Sequence, residues 1–301
     1  MITPPYLSKD DKIGIIAPAR CINFDEVHPS IRLFQKWGLE VVLGTNIFRK
    51  CNQFAGNDEL RLADLQQMLD DDSIRAIICA RGGYGTVRII DKVDFNAFRK
   101  NPKWIVGYSD VTVLHSHIHR HFGIETLHAT MPVNITADDV QDDSLDTLKN
   151  ALFGKIRSYS YPATPLARSG ETEGILTGGN LSILYSLMGS ASEQDTADKI
   201  LFLEDVDEYL YHIDRMMMNL KRAGKLAHLK GLIVGSMERM NDNTMPYGKS
   251  ANEIIAAAVS EYSYPVCFDF PAGHGETNLA LILGRKIKLI VSNEIEMIFN
   301  R

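Results

Sequence analysis

The sequence predicts an α/β protein: a parallel sheet covered on both faces by helices, followed by a region of different patterning. Three observations point there. Short β-branched runs alternate with helical patterns as far as Gly123, a proline- and serine-containing break lies at 151–172, and the chain from Pro265 onward reads as strands around turns. Parallel strands need crossover helices, and their two covered faces make the strands near-continuously apolar.

The elements follow in order. "KIGIIAP" is a strand, "EVHPSIRLFQKWG" a helix stopped at Gly38, and "LEVVLG" a second strand. "NDELRLADLQQMLDD" repeats Leu62, Leu65 and Leu69 at helical spacing, with Asn57 placed as its N-cap. "IRAIICA" is a third strand, "TVRIIDKV" starts a helix, and "KWIVG" is a fourth strand. After Ser109 a helix carries Val111, Leu114, Ile118 and Phe122 on one face and stops at Gly123.

"GKIRSYSYPATPLARSGETEG" has no helical period and reads as a crossover or linker. The expected organisation is therefore an N-terminal domain over 1–150, a linker over 151–172 and a C-terminal domain over 173–301. In the last, "KILFLED" and "GLIVGSM" are buried strands. Between them "YLYHIDRMMMNLKRAG" is an amphipathic helix with Leu210, Ile213, Met217 and Leu220 on one face. "SANEIIAAAVSEY" opens with a capping box, Ser250 and Glu253.

Bulk properties exclude several classes. The net charge is −6 and no basic block interrupts the chain, which argues against nucleic acid or an anionic membrane as partner. The four cysteines are dispersed with no C-x-x-C pair, so neither a disulfide framework nor a structural zinc site is expected. No signal-type or membrane-length apolar run is found, and the expected location is cytoplasmic.

In parallel sheets ligands bind beyond the carboxyl ends of the strands. Those exits carry Arg81-Gly82-Gly83-Tyr84-Gly85, then Tyr108-Ser109-Asp110, then Glu204-Asp205, then Gly273-His274-Gly275. A serine hydroxyl needs a base to become a nucleophile, a histidine base needs a carboxylate to hold its tautomer, and the tetrahedral oxyanion needs aimed N–H donors. The four exits supply each part: serine, histidine, carboxylate and a glycine turn that lets backbone N–H groups approach. Each part also has a plainer reading. Ser109 can be a helix N-cap, the glycine loop an ordinary turn or phosphate cradle, and Glu204 part of a solvated acidic run with Asp205, Asp207 and Glu208. His274 between two glycines fits neither helix nor strand. "HSHIHRH" places His115 with His119, and His117 with His121, at metal-binding spacing, but without the H-E-x-x-H pattern and on a helix whose buried face is already defined.

Taken together, "ARGGYGTVRII", "KWIVGYSDVTVLH", "TGGNLSIL", "LFLEDVDEYLYHIDRMMMNL" and "GHGETN" resemble the LD-carboxypeptidase family of muramoyl-tetrapeptide carboxypeptidases, with its related microcin self-immunity hydrolases. The resemblance covers nearly the whole chain in the same order. It implies a flavodoxin-like N-terminal domain, a swivelling β/β/α C-terminal domain, a homodimer, and a cytoplasmic serine peptidase that removes the terminal D-alanine of murein tetrapeptides in cell-wall recycling. By motif it implies Ser109 as nucleophile, Glu204 as carboxylate, His274 as base, and the N–H groups of Gly83 and Asp110 as oxyanion hole, with no metal or cofactor. An exopeptidase also needs a cation for the free carboxylate, for which Arg81 and Arg215 are candidates; Tyr84 and Asn180 are candidate pocket residues. The α/β-hydrolase pattern G-x-S-x-G is not met, because Val111 stands at the second glycine. Two rivals remain from other classes: a flavodoxin-like ligand-binding protein indifferent to His274, and a metal hydrolase using the histidine run. A peptide-nucleotide antibiotic is the alternative substrate.

Overall fold

The structure, a computed structural model, describes residues 1–136 and 142–300. The chain forms two units, residues 1–155 with 279–282 and residues 156–278 with 283–301.

In the first unit the strands are β1 (Lys12–Ile16), β2 (Glu40–Leu43), β3 (Ile74–Cys79), β4 (Trp104–Val106) and β5 (Thr126–His128). They lie in the order β2-β1-β3-β4-β5 with every neighbouring pair parallel, the flavodoxin-like order whose reversal falls between β1 and β3. The helices are α1 (Phe24–Lys36), α2 (Asp58–Asp70), the short α3 (Asn96–Lys100), α4 (Thr112–Phe122) and α5 (Asp143–Leu152). Asn57 caps α2 by accepting the Leu60 N–H at 3.0 Å, and α4 ends at Gly123 in the left-handed region, both as the sequence predicts.

Other features differ from expectation. "TVRIIDKV" forms two single 3₁₀ turns, Thr86–Arg88 and Ile90–Lys92, rather than an α-helix. The buried face of α2 is Arg61, Asp64, Leu65, Met68 and Leu69, with Leu62 only half-buried. Two charged residues sit inside because each is satisfied there: Arg61 by Asp58 and two backbone carbonyls, Asp64 by the side chain and N–H of Asn46.

The second unit is built on a seven-stranded sheet. Its strands are β6 (Ser158–Pro162), β7 (Gly170–Asn180), β8 (Lys199–Val206), β9 (Gly231–Glu238) and β10 (Val266–Cys267). A short β11 (Leu281–Leu283) precedes the final strands β12 (Lys286–Val291) and β13 (Glu294–Phe299). The order is β10-β9-β8-β7-β12-β13-β6. It is parallel from β10 to β7 and antiparallel from β7 to β6. Helices α6 (Leu181–Ser186), α7 (Leu210–Arg222) and α8 (Ala251–Ala258) share one apolar core with β8 and β9, including Leu181, Ile213, Met217, Ile255, Leu203 and Val234. The predicted capping box of α8 forms.

Two boundaries therefore move. The stretch 151–172 is not a linker: it contains β6 and the start of β7, and Tyr159 and Tyr161 pack on Phe270. Its prolines disguise a strand because β6 lies at a sheet edge, where a missing N–H is tolerated. And β11 joins the first sheet beside β5 rather than the C-terminal one. Three apolar residues carry no mark of which sheet will take them. Among the described residues no helix is long and apolar enough to cross a membrane.

Candidate active site

Functional residues gather at the carboxyl ends of the strands in each unit. In the first unit β4 runs into Gly107 at φ +152°, and Ser109 follows at φ +62°. A left-handed conformation costs a non-glycine residue about 1–2 kcal/mol. Ser109 thus turns sharply between strand and helix, and it does not act as the predicted N-cap: the 3₁₀ turn Ser109–Val111 and α4 both start without a side-chain cap bond. The crossing is tight. A Cβ on Gly107 would come within 2.8 Å of Val111, and His115 Nε2 lies 2.9 Å from the Gly107 carbonyl.

The glycine loop after β3 packs on this serine. A Cβ on Gly82 would stand 3.0 Å from Ser109 Cβ, 3.2 Å from its Oγ and 3.5 Å from the Asp110 nitrogen. Gly83, at φ +106°, has the side chain of Arg20 where its own Cβ would be. Two buried charges hold the loop's far end. Asp110 Oδ2 accepts the Thr86 N–H at 3.0 Å, and Arg61 donates to the carbonyls of Pro18 and Gly85 at 2.5 and 2.9 Å. Burial pushes the Asp110 carboxyl pKa up, against the hydrogen bonds from Thr86.

In the second unit Glu204 ends the apolar run of β8 at an irregularity in the β8–β9 ladder, between Leu203 and Asp205. Such bulges re-aim side chains. Its side chain is fully buried, and its Oε2 lies 2.6 Å from His274 Nδ1. The "GHG" loop that carries His274 is fastened on both sides. Ser236 at the end of β9 donates its N–H to the Ala272 carbonyl at 2.9 Å and takes the Gly275 N–H on its Oγ at 3.1 Å, while Asn278 accepts the Gly273 N–H at 2.9 Å. A Cβ on Gly273 would lie 2.5 Å from Ser236 Oγ and 2.8 Å from Glu204 Oε2, so only glycine fits there.

Burial pulls the His274 pKa down. The hydrogen bond to Glu204 and the charges of Glu204 and Asp205 outweigh it, and the net shift is upward from 6.5. Asp205 is itself buried, and desolvation together with the neighbouring Glu204 charge pushes it up to about 7. It accepts from Asn180 Nδ2 at 3.0 Å and from the Ser182 N–H at 2.8 Å.

The residues predicted from sequence thus fall into two groups. Ser109 and Asp110 meet the glycine loop in the first unit; Glu204 meets His274 in the second. The candidate substrate residues divide. Arg81 is ion-paired with Glu26 at 3.2 Å. Arg215 lies over the Tyr211 ring. Asn180 is buried, capping α6 and holding Asp205, rather than presented to a ligand. Tyr84 is exposed near Phe54. Sequence reasoning missed Arg61 and Ser236, and named Gly82 without its contact to Ser109; the exit of "GLIVGSM" would have led to Ser236 had it been read like the other strand exits.

The histidine run is engaged locally. His115 faces Gly107, His119 Nε2 lies 3.1 Å from Thr126 Oγ1, and the His117 and His121 rings stand 4.4 Å apart. Burial, then the neighbouring His121, holds His117 down at about 4. Among the described residues no group of three or more His, Cys, Asp or Glu could hold a metal ion.

Comparison with known proteins bears on the family and the fold. Residues 13–129 match the LD-carboxypeptidase N-terminal domain and residues 173–289 its C-terminal domain. The chain is 35% identical over 298 residues to a probable murein peptide carboxypeptidase of Bacillus subtilis, covering 98% of this chain and 93% of the relative. Its fold matches the crystal structure of muramoyltetrapeptide carboxypeptidase from Oxalobacter formigenes with a TM-score of 0.87 at 26% identity, over 96% of this chain and 99% of that one. The microcin C7 self immunity protein MccF shares the fold alone, with a TM-score of 0.88 at 21% identity, over 100% of this chain and 98% of that one. By the two domain matches and the full-length similarity, the chain belongs to the LD-carboxypeptidase family.

Proposed function

We propose that this chain is a serine carboxypeptidase that hydrolyses the L,D bond before the terminal D-alanine of murein tetrapeptides. The observation that carries the reading is the 2.6 Å hydrogen bond between buried Glu204 and His274 Nδ1. A carboxylate held dry against one imidazole nitrogen assigns the proton to Nδ1 and leaves Nε2 as the basic atom. The left-handed turn at Ser109 supports it from the other unit, because strain of this kind collects at nucleophiles.

In this mechanism His274 Nε2 takes the Ser109 proton as Oγ attacks the carbonyl before the terminal residue. The N–H groups of Gly83 and Asp110 receive the oxyanion. Collapse breaks the C–N bond, and His274 returns the proton to the departing amine of D-alanine. Water then gives a proton to His274 and attacks the acyl-serine, releasing the shortened peptide and restoring the hydroxyl. Glu204 orients the ring and stabilises the imidazolium. Each step uses side chains, backbone N–H groups and water. A cytoplasmic location and a homodimeric assembly belong to the same reading and rest on the family resemblance.

The test is direct. Incubation with a murein tetrapeptide is expected to release one alanine, read by mass spectrometry, and the Ser109→Ala variant is expected to release none on the same timescale. Equal release by both proteins would assign the chemistry to another nucleophile.

A further inference from the structure

An exopeptidase has to hold the charged end of its substrate; of the two candidate cations, Arg215 lies over the Tyr211 ring and Arg81 is paired with Glu26. Its neighbours around the glycine loop are engaged too: Arg61 is buried against Asp58 and two carbonyls, and Arg88 pairs with Asp58 at 2.9 Å. Arg20 is different. It is exposed, and its guanidinium forms no ion pair among the described residues. Its stem lies over Gly83, where a Cβ would strike Arg20 Cγ and Cδ, and its backbone N–H donates to the Gly82 carbonyl at 3.4 Å.

We propose that Arg20 binds the free α-carboxylate of the departing residue and so makes the enzyme a carboxypeptidase rather than an endopeptidase. The inference rests on the carboxypeptidase reading above. Position supports it first. Arg20 follows β1 and the glycine loop follows β3, the two adjacent strands where the sheet order reverses and α/β sheets open their ligand crevice. Two consecutive glycines then divide the work: Gly82 packs on Ser109, and Gly83 packs on Arg20.

Reach supports it second. The terminal carboxylate lies one residue beyond the scissile carbonyl, about 3.3–3.6 Å along an extended chain. A loop whose N–H takes the carbonyl oxygen therefore brings the carboxylate within range of a guanidinium resting on that same loop. The chemistry fits as well, since a guanidinium offers a carboxylate two parallel hydrogen bonds. Gly83 then has a second reason to lack a side chain: a Cβ would displace the arginine.

The test compares a murein tetrapeptide ending in D-alanine with its C-terminal carboxamide, using the full-length wild type, Arg20→Gln, Arg20→Lys and Ser109→Ala. Wild type is expected to prefer the free acid in kcat/KM. Arg20→Gln is expected to lose that preference by about 10- to 100-fold, mainly through KM, with Arg20→Lys keeping part of it as a point charge. An acid-over-amide preference preserved in Arg20→Gln overturns the role of Arg20, whatever happens to the absolute rates. Equal losses on both peptides would do so too, because they would mark Arg20 as an aid to the oxyanion or the loop. Failure of wild type to release D-alanine from either peptide in a Ser109-dependent way overturns the peptidase reading instead.

Discussion

The two units hold their candidate catalytic residues by different physics. In the first, position is set by backbone. Ser109 is held in a left-handed turn between Gly107 and α4, and glycines on the adjoining loop allow the chain to press on it. In the second, position is set by side chains and charge. Glu204 is buried at a ladder irregularity, pairs with His274, and is flanked by Asp205, whose own ionisation is disfavoured. A nucleophile needs only a place and an exposed hydroxyl, which strained backbone can supply. A base needs a defined protonation state, which requires a desolvated charge beside it.

If this contrast holds, substitutions in the first unit act mainly through geometry and those in the second through pH. The largest effect is expected at Ser109. Ser109→Ala is expected to lower kcat by roughly 10⁴- to 10⁶-fold with the fold retained. Ser109→Gly, equally inactive, is expected to gain about 1 kcal/mol of stability in urea titrations by relieving the left-handed turn. No gain from glycine would mean that the turn is not strained.

Glu204→Gln comes next, with a fall of about 10⁴ in kcat through loss of the tautomer and of imidazolium stabilisation. Removing the carboxylate also lowers the His274 pKa, so the acid limb of kcat/KM should move to lower pH. The sign for stability follows from the raised folded-state pKa. The contribution of the pair is complete below the unfolded value of 6.5 and fades as pH rises through the folded one. The stability gap between wild type and variant is therefore expected to be widest in acid.

Gly82→Ala sharpens the first-unit side. Its new methyl would stand 3.0 Å from Ser109 Cβ and 3.2 Å from Oγ, so a loss of about 10²-fold in kcat and about 1–3 kcal/mol of stability is expected, without movement of the pH profile. A shifted acid limb in this variant would break the contrast between the units.

The last effect is a slope in stability, with no expected change in turnover. Asp205 titrates at about 7 when folded against 3.8 for the ordinary carboxyl, so between those values the folded state keeps a proton that the unfolded chain has released. Stability is then expected to fall as pH rises from 3.8 to about 7, and Asp205→Asn to remove that slope in urea titrations across the range. An unchanged slope would place the ionisation elsewhere.

Much of this was legible in the chain. The alternation of apolar runs with helical periods marked β1 to β4 and the helices α1, α2 and α4, and the residues following the strands included the serine, the carboxylate and the histidine. What escaped has identifiable causes. The strand β6 was hidden by prolines that an edge position tolerates. Arg61 and Asp64 looked like solvent-facing charges on α2, and only their partners on distant loops, the Pro18 and Gly85 carbonyls and Asn46, make their burial possible. The ion pair of Arg81, one of the two candidate cations, was also not legible, because its partner Glu26 lies far away in sequence.

The sequence by itself determined most of the element types, the turns that need glycine, and which chemical groups stand at the strand ends, because these follow from local periodicity and backbone sterics. Tertiary structure alone decided which of the buried carboxylates meets the imidazole, which arginine stem rests on the glycine loop, and which sheet claims β11. Those outcomes depend on partners brought together by packing, and no local pattern in a chain records the distance to a residue it has yet to meet.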